Sequence, residues 1–247
     1  MVIQLDPDFE EKQEKEEQIL SSFPDNELLE ITKVERQKKS DHRYIIHFGI
    51  HKMTVHEDVM IKYRMITGSQ FMKSDLEQIV LADERQRAYV EGLRYLGHKP
   101  RTALEMTRRL RQKEIGETII AETLQRLQSE QYIDDPLYAK QWAEQRITNQ
   151  RKGKMWIRQE LREKGIDKSL ISEALDDITP EQEQHSALLS ARKKWNLIRG
   201  EVPDKRRKTG AYLMRRGFSG EMVRKVLQIL VEEEDFQGED EEIYYSE

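Results

Sequence analysis

Apolar residues recur in this chain with one spacing, used three times. Leu110 is followed by Ile115, Ile119, Ile120, Leu124 and Leu127. Leu161 is followed by Ile166, Leu170, Ile171, Leu175 and Ile178. Leu213 is followed by Phe218, Met222, Val223, Leu227 and Leu230, again at the same offsets. The anchors lie 51 and 52 residues apart. A repeat of this length predicts a small helical unit stacked in tandem, which offers an extended surface rather than a catalytic cleft.

Within the second unit, Tyr138, Ala139, Trp142, Ala143 and Ile147 form the apolar stripe of a first helix. Ile157 and Leu161 give a second helix its buried face, and Leu170 to Ile178 a third. Gly165 suits the left-handed position that ends the second helix, and Asp167 suits the cap of the third. Gly217 and Ser219 hold the same places in the third unit. The first unit departs from this, with Glu114 and Gly116 instead. Pro136 and Pro180 fit the first turns of the helices that open the second and third units.

Upstream the periodicity changes. Tyr44, Ile46, Phe48 and Ile50 alternate with the residues between them, which predicts a strand. Ile31–Val34 reads as its partner and Lys52–Val55 as a third short strand. His56–Met65 and Asp75–Ile79 read as short helices. The expected architecture is mainly α: three tandem three-helix repeats in an elongated curved array, preceded by a small α+β module. The expected boundaries are 1–25 for an acidic extension, 26–80 for the module, 81–134, 135–180 and 181–231 for the repeats, and 232–247 for an acidic disordered tail without helical periodicity.

Charge sharpens this picture. The whole chain carries −5, but residues 6–17 hold seven acids and two lysines, and residues 232–247 hold nine acids and no base. The body between 18 and 231 is therefore +9, and the window 192–225 alone is also +9. A basic body with acidic ends points to a polyanionic or acidic partner. There is no cysteine, which excludes disulfides and thiolate metal sites. The N-terminus lacks the basic and apolar regions of a signal peptide, and no apolar run reaches membrane-spanning length. A cytoplasmic monomer with no membrane partner is expected.

The candidate contact residues are basic. Arg151, Lys154, Arg158 and Arg162 have the spacing of one face of a helix. Lys205, Arg206, Arg207 and Lys208 form a cluster, joined by Arg215, Arg216, Arg224 and Lys225. Lys164 and Arg216 share one position with Lys113, where the dipole of the second helix accounts for a cation without any partner. Trp142 and Trp195 suit core packing; Trp156, among bases, could serve as a half-exposed anchor. His42, His47, His51 and His56 cluster in the strand region, but no helical His pair or cysteine accompanies them, and no metal is expected. The acidic tail matches the third unit in size and opposes it in sign, so it could fold over that unit; a solubilising tail is the plainer reading. No phosphate loop, nucleophile elbow or supported carboxylate pair stands out, so no catalytic residues or cofactors are expected.

Several of these residues carry a family resemblance. Tyr138-Ala139, Lys152-Gly153, Ile157, Glu160-Leu161 and Lys164-Gly165-Ile166 resemble the second unit of the RecX family, bacterial regulators of the RecA recombinase. Tyr132-Ile-Asp-Asp135 is similar to that family's junction after its first unit, and Leu93, Tyr95-Leu96 and Leu110 also fit. Ile31-Thr-Lys-Val-Glu35 and Val55-His-Glu-Asp-Val59 look like the longer form found in Firmicutes. The resemblance covers roughly Leu28 to Leu230. It implies a non-enzymatic regulator that binds RecA filaments on DNA, docks in their helical groove, and limits filament growth, ATP hydrolysis and strand exchange. Single- and double-stranded DNA are further expected partners. The rival reading from the residues is direct DNA binding by helix-turn-helix-like units on a basic body.

Overall fold

The structure, a computed structural model, describes residues 20–38 and 42–244, with side chains as far as Asp235. Among the described residues are five strands and ten helices, so the mainly helical class holds. The chain divides into two compact units, Met1–Ile133 and Asp134–Glu247.

The first unit opens with the expected small module. β1 (Leu29–Glu30) pairs antiparallel with β5 (Gln70–Phe71), a pairing too short to read from sequence. β2 (Lys33–Arg36), β3 (Arg43–Phe48) and β4 (His51–His56) form an antiparallel sheet in the order β2-β3-β4. Its core holds Ile31, Ile46, Phe48, Met53 and Val55. Leu20 and Phe23 are buried in the same core, so the stretch assigned to an acidic extension ends in an anchor. The rest of that extension lies outside the described residues.

A short helix, α1 (Glu57–Lys62), follows β4. The expected short helix at Asp75–Ile79 is instead the start of α2 (Lys73–Leu96), a single helix of 24 residues. The expected boundary at 80/81 therefore falls inside a helix. Leu76, Ile79 and Val80 seat its first half in the module core, while Tyr89, Leu93 and Leu96 pack its second half on the first repeat. α3 (Ala103–Arg111) and α4 (Glu117–Ser129) complete that repeat around Met106, Leu110, Ile120 and Leu127. Thr102 and Glu105 form a capping box at the start of α3.

An ion pair between β3 and α2 braces the C-terminal end of β4. Arg43 donates to both carboxylate oxygens of Asp83 on α2, at 2.9 and 2.8 Å, and to the Thr54 carbonyl at 3.1 Å. Asp83 also accepts from the His56 amide at 2.6 Å. One carbonyl and one amide on the outer edge of β4, those of Thr54 and His56, are thereby occupied and less open to pairing with another strand.

The second unit holds two repeats. α5 (Asp135–Thr148), α6 (Lys154–Glu163) and α7 (Lys168–Asp176) form one. α8 (Pro180–Asn196), α9 (Val202–Arg215) and α10 (Gly220–Tyr244) form the other. They share one continuous core running from Ala139 to Leu230, so neither repeat buries its apolar face alone. Every residue of the threefold apolar pattern is buried or half-buried. Gly165 and Gly217 have φ of 79° and 85°, and Asp167 caps α7 through the Ser169 amide. In the first repeat Glu114 takes the same left-handed conformation, with φ 56°, without glycine's freedom.

The expectation for the C-terminus is corrected. α10 does not stop near Val231 but runs to Tyr244, carrying the acidic segment as helix. The turn just past Val231 is held from outside the local periodicity: Glu233 and Glu234 pair with cations on α8 and α9.

Candidate interaction surface

The second repeat meets the third where α6 begins and α9 ends. The Gly153 amide donates to the Arg216 carbonyl at 2.9 Å, and the Met155 amide to the Gly217 carbonyl at 3.0 Å. Amides at a helix start and carbonyls at a helix end, which usually lack intrahelical partners, satisfy each other. The positive end of one helix dipole also faces the negative end of the other. A Cβ at Gly153 would fall inside the Gly217 carbonyl, and a Cβ at Gly217 inside the Trp156 backbone. Only two glycines permit this approach.

Arg216, at the end of α9, clasps the junction. Its guanidinium donates to the Arg151 carbonyl at 3.0 Å and to the Gln150 carbonyl. Arg151 precedes α6 in a left-handed conformation, φ 52°, so the expected four-residue basic face is shorter than supposed. Lys154 is the first residue of α6, and its ammonium caps the Ile178 carbonyl at 2.7 Å. Lys164 ends α6 and lies 5.4 Å from the Tyr138 ring centre and 4.4 Å from that of Trp142. All three bases therefore hold the unit together.

Beside this junction Tyr138 stacks on Trp142, with ring centres 5.5 Å apart. Arg146 lies 3.7 Å over Trp142 and donates to Glu160 at 2.8 Å, while the Trp142 ring N–H donates to the same carboxylate at 3.1 Å. Burial works against ionisation of Glu160, yet the hydrogen bonds from Arg146, Trp156 and Trp142 outweigh it and keep its pKa below the ordinary carboxylate value. Trp156 is exposed, with the Lys152 ammonium 3.5 Å from its ring centre. Burial, reinforced by the Arg216 charge, lowers the Lys152 pKa. The anchor expected at Trp156 is accessible, while Trp195 is in the core as expected. Trp142 packs against that core only partly buried.

The third repeat divides its bases in the same way. Lys205 pairs with Glu234, which also accepts from the Trp195 ring N–H. Arg207 and Lys208 reach Asp204 at 3.3 and 3.5 Å. Arg192, which sequence reasoning passed over, pairs with Glu233. What remains is a set of six exposed bases with no ion pair or hydrogen bond among the described residues: Arg158, Arg162, Arg206, Arg215, Arg224 and Lys225. The first repeat contrasts with this. Arg85 pairs with Glu122, Arg109 with Glu91, Arg111 with Glu117 and Arg126 with Glu130.

No group of three metal-ligating side chains occurs among the described residues. The strand-region histidines have other roles. His42 meets Glu57 at 2.7 Å, His47 meets Glu35 at 3.2 Å, His56 accepts from the Asp58 amide, and His51 packs on Phe23. No helix among the described residues is long and apolar enough to cross a membrane.

Comparison with known proteins matches this geometry. Models of the first, second and third three-helix domains of RecX match residues 88–127, 134–175 and 181–227. The chain is 30% identical to the regulatory protein RecX of Bacillus cytotoxicus over 221 residues, which is 87% of this chain and 82% of that one. It is 31% identical to that of Limosilactobacillus reuteri over 216 residues, covering 87% and 81%. A crystal structure of a regulatory protein RecX superposes with a TM-score of 0.66 at 30% identity, covering 80% of this chain and 98% of the other. That of RecX from Lactobacillus salivarius gives 0.58 at 28% identity, covering 60% and 97%. With all three of its helical repeats matched in order and most of its length aligned to such relatives, the chain belongs to the RecX family.

Proposed function

We propose that this protein is a non-catalytic regulator that binds RecA filaments on DNA and limits their ATP hydrolysis, growth and strand exchange. The observation that carries this reading is the division of bases in a RecX-family chain. The first repeat holds most of its arginines in internal pairs, with Arg108 the exposed exception among the described residues, while the second and third keep six of the candidate bases exposed over one shared core. Exposed guanidinium groups on rigid helices suit an anionic surface, because little side-chain order is lost on contact. The protein acts as a monomer.

The rival reading, direct DNA recognition by the third helix of each unit, has weaker support. The exposed side of α7 carries Glu173, Asp176 and Asp177, with Lys168 as its one base. Lys140 of α5 pairs with Glu173 and Asp177, so the α7 face offers phosphate little attraction. Among the described residues, of the three third helices only that of the third unit, α10, exposes two bases outside ion pairs, Arg224 and Lys225.

The test is RecA's DNA-dependent ATP hydrolysis with this protein titrated in. Loss of hydrolysis well below one protein per RecA is the expected result. Inhibition that begins only when the protein coats the DNA would overturn the proposal in favour of simple competition for DNA.

A further inference from the structure

We propose that the acidic C-terminal arm of α10 is an internal anion: it occupies part of the third repeat's cation set and competes there with nucleic-acid phosphate. This rests on the reading that the third repeat faces DNA within its target.

The arm begins where the apolar stripe of α10 ends, after Leu230 and Val231. Glu233 accepts two hydrogen bonds from the Arg192 guanidinium on α8, one of them at 3.1 Å. Glu234 accepts from the Lys205 ammonium on α9 and from the Trp195 ring N–H on α8. One helical extension thus bridges both partner helices of its repeat through charge. Burial raises the Glu234 pKa, but the Lys205 and Trp195 hydrogen bonds overcome it and hold the group ionised.

The cations taken belong to the most basic stretch of the chain. Residues 192–225 carry twelve bases and three acids, and residues 232–247 carry nine acids and no base. Arg206, Arg215, Arg224 and Lys225 on the same repeat stay open. A guanidinium that grips a carboxylate through two N–H groups grips a phosphate equally well. The arm therefore withholds Arg192 and Lys205 from a polyanion until that polyanion displaces it. The contacts are largely electrostatic and half-exposed, so they are weak enough to yield.

The experiment measures binding of a fluorescent twenty-nucleotide oligothymidine by the full chain and by its E233Q/E234Q variant, as a function of salt. Helical content and the urea midpoint of the combined tryptophan emission confirm folding. Freeing two cations adds about two phosphate contacts, so the salt slope should steepen by about 1.4 for a single strand. The variant should bind more tightly at low salt, and its advantage should shrink about sevenfold between 50 and 200 mM salt. K205Q supplies a second arm of the test. With the native arm in place, K205Q should change binding by less than about twofold, and in the E233Q/E234Q background it should remove about half of the added slope. Equal affinity and slope for the wild-type and E233Q/E234Q chains would overturn the internal anion while leaving the basic-face reading intact. So would a large loss from K205Q alone, which is decisive even where the double variant does not fold. No binding of the oligonucleotide by any of these chains would overturn the underlying reading and this proposal with it.

Discussion

Gly153 and Gly217 set how closely the second and third repeats approach, and no larger residue can stand in for either. Gly153→Ala places a methyl group inside the Gly217 carbonyl without any backbone penalty, since φ at Gly153 is −77°. Gly217→Ala adds the cost of a left-handed alanine, about 1–2 kcal/mol. Either change should also weaken two backbone hydrogen bonds worth about 1 kcal/mol each. Gly220→Ala, where a Cβ meets nothing within 4 Å, serves as the control. Urea melts followed by tryptophan emission should show a loss of about 2–4 kcal/mol for the first two variants, summed from those terms, and almost none for the third. Equal stability of all three would remove the tight junction. Trp142, Trp156 and Trp195 are the only tryptophans, and all lie in the second unit, so the signal reports that unit alone.

The same emission reads a pH dependence at Glu160. Because its folded pKa lies below its unfolded value, Glu160 contributes stability fully above the ordinary glutamate pKa of about 4.3. That contribution fades as pH falls through the lowered folded value. Glu160→Gln should lower stability near neutral pH and leave a shallower loss on acidification. An acid transition identical to the wild type would show that the carboxylate is not held this way. Glu160 was readable in the sequence only as a family position. Its role was hidden, because its partners Trp142 and Arg146 come from a different helix.

At the level of elements, Asp83 ties the sheet to α2: it pairs with Arg43 of β3 and accepts from the His56 amide of β4. Asp83→Ala takes the carboxylate from a half-buried guanidinium, which keeps only the Thr54 carbonyl, and leaves the His56 amide without its acceptor. Breaking such a pair costs about 3–5 kcal/mol. Far-UV circular dichroism of D83A should show early loss of the first unit, while the tryptophan midpoint of the second unit stays where it was. Coincident loss of both signals would mean that the units do not unfold separately. Asp83 also marks where sequence reading fell short. It sits mid-helix among Glu84, Arg85 and Arg87, where charge interrupts the apolar stripe, so α2 read as a short helix and a boundary. The three repeats were legible because each apolar offset answers to one core position. The continuation of α10 past Val231 was not, because Glu233 and Glu234 are held by pairs 29 to 41 residues apart in sequence.

For the whole molecule, the thirteen candidate bases must be divided by what they already hold. Lys154, Lys164, Lys205 and Arg216 are committed to carbonyls, rings and carboxylates of the second unit. Sequence could not make that division, since the Arg216 contacts alone span 65 and 66 residues. Charge reversal at those four would weaken binding and folding together and prove nothing about contact. Reversal at Arg158, Arg162, Arg206 and Arg215 touches no internal pair among the described residues. The R158E/R162E/R206E/R215E chain should therefore keep its helical content and its tryptophan midpoint. It should need at least about tenfold more protein to inhibit RecA-dependent ATP hydrolysis, because each reversed charge both loses an attraction and adds a repulsion of order 1 kcal/mol near a surface. Raising salt should narrow the gap between this chain and the wild type, as screening removes the term that separates them. Full inhibition by the reversed chain at the wild-type concentration would place the contact elsewhere, with the first unit as the next surface to dissect.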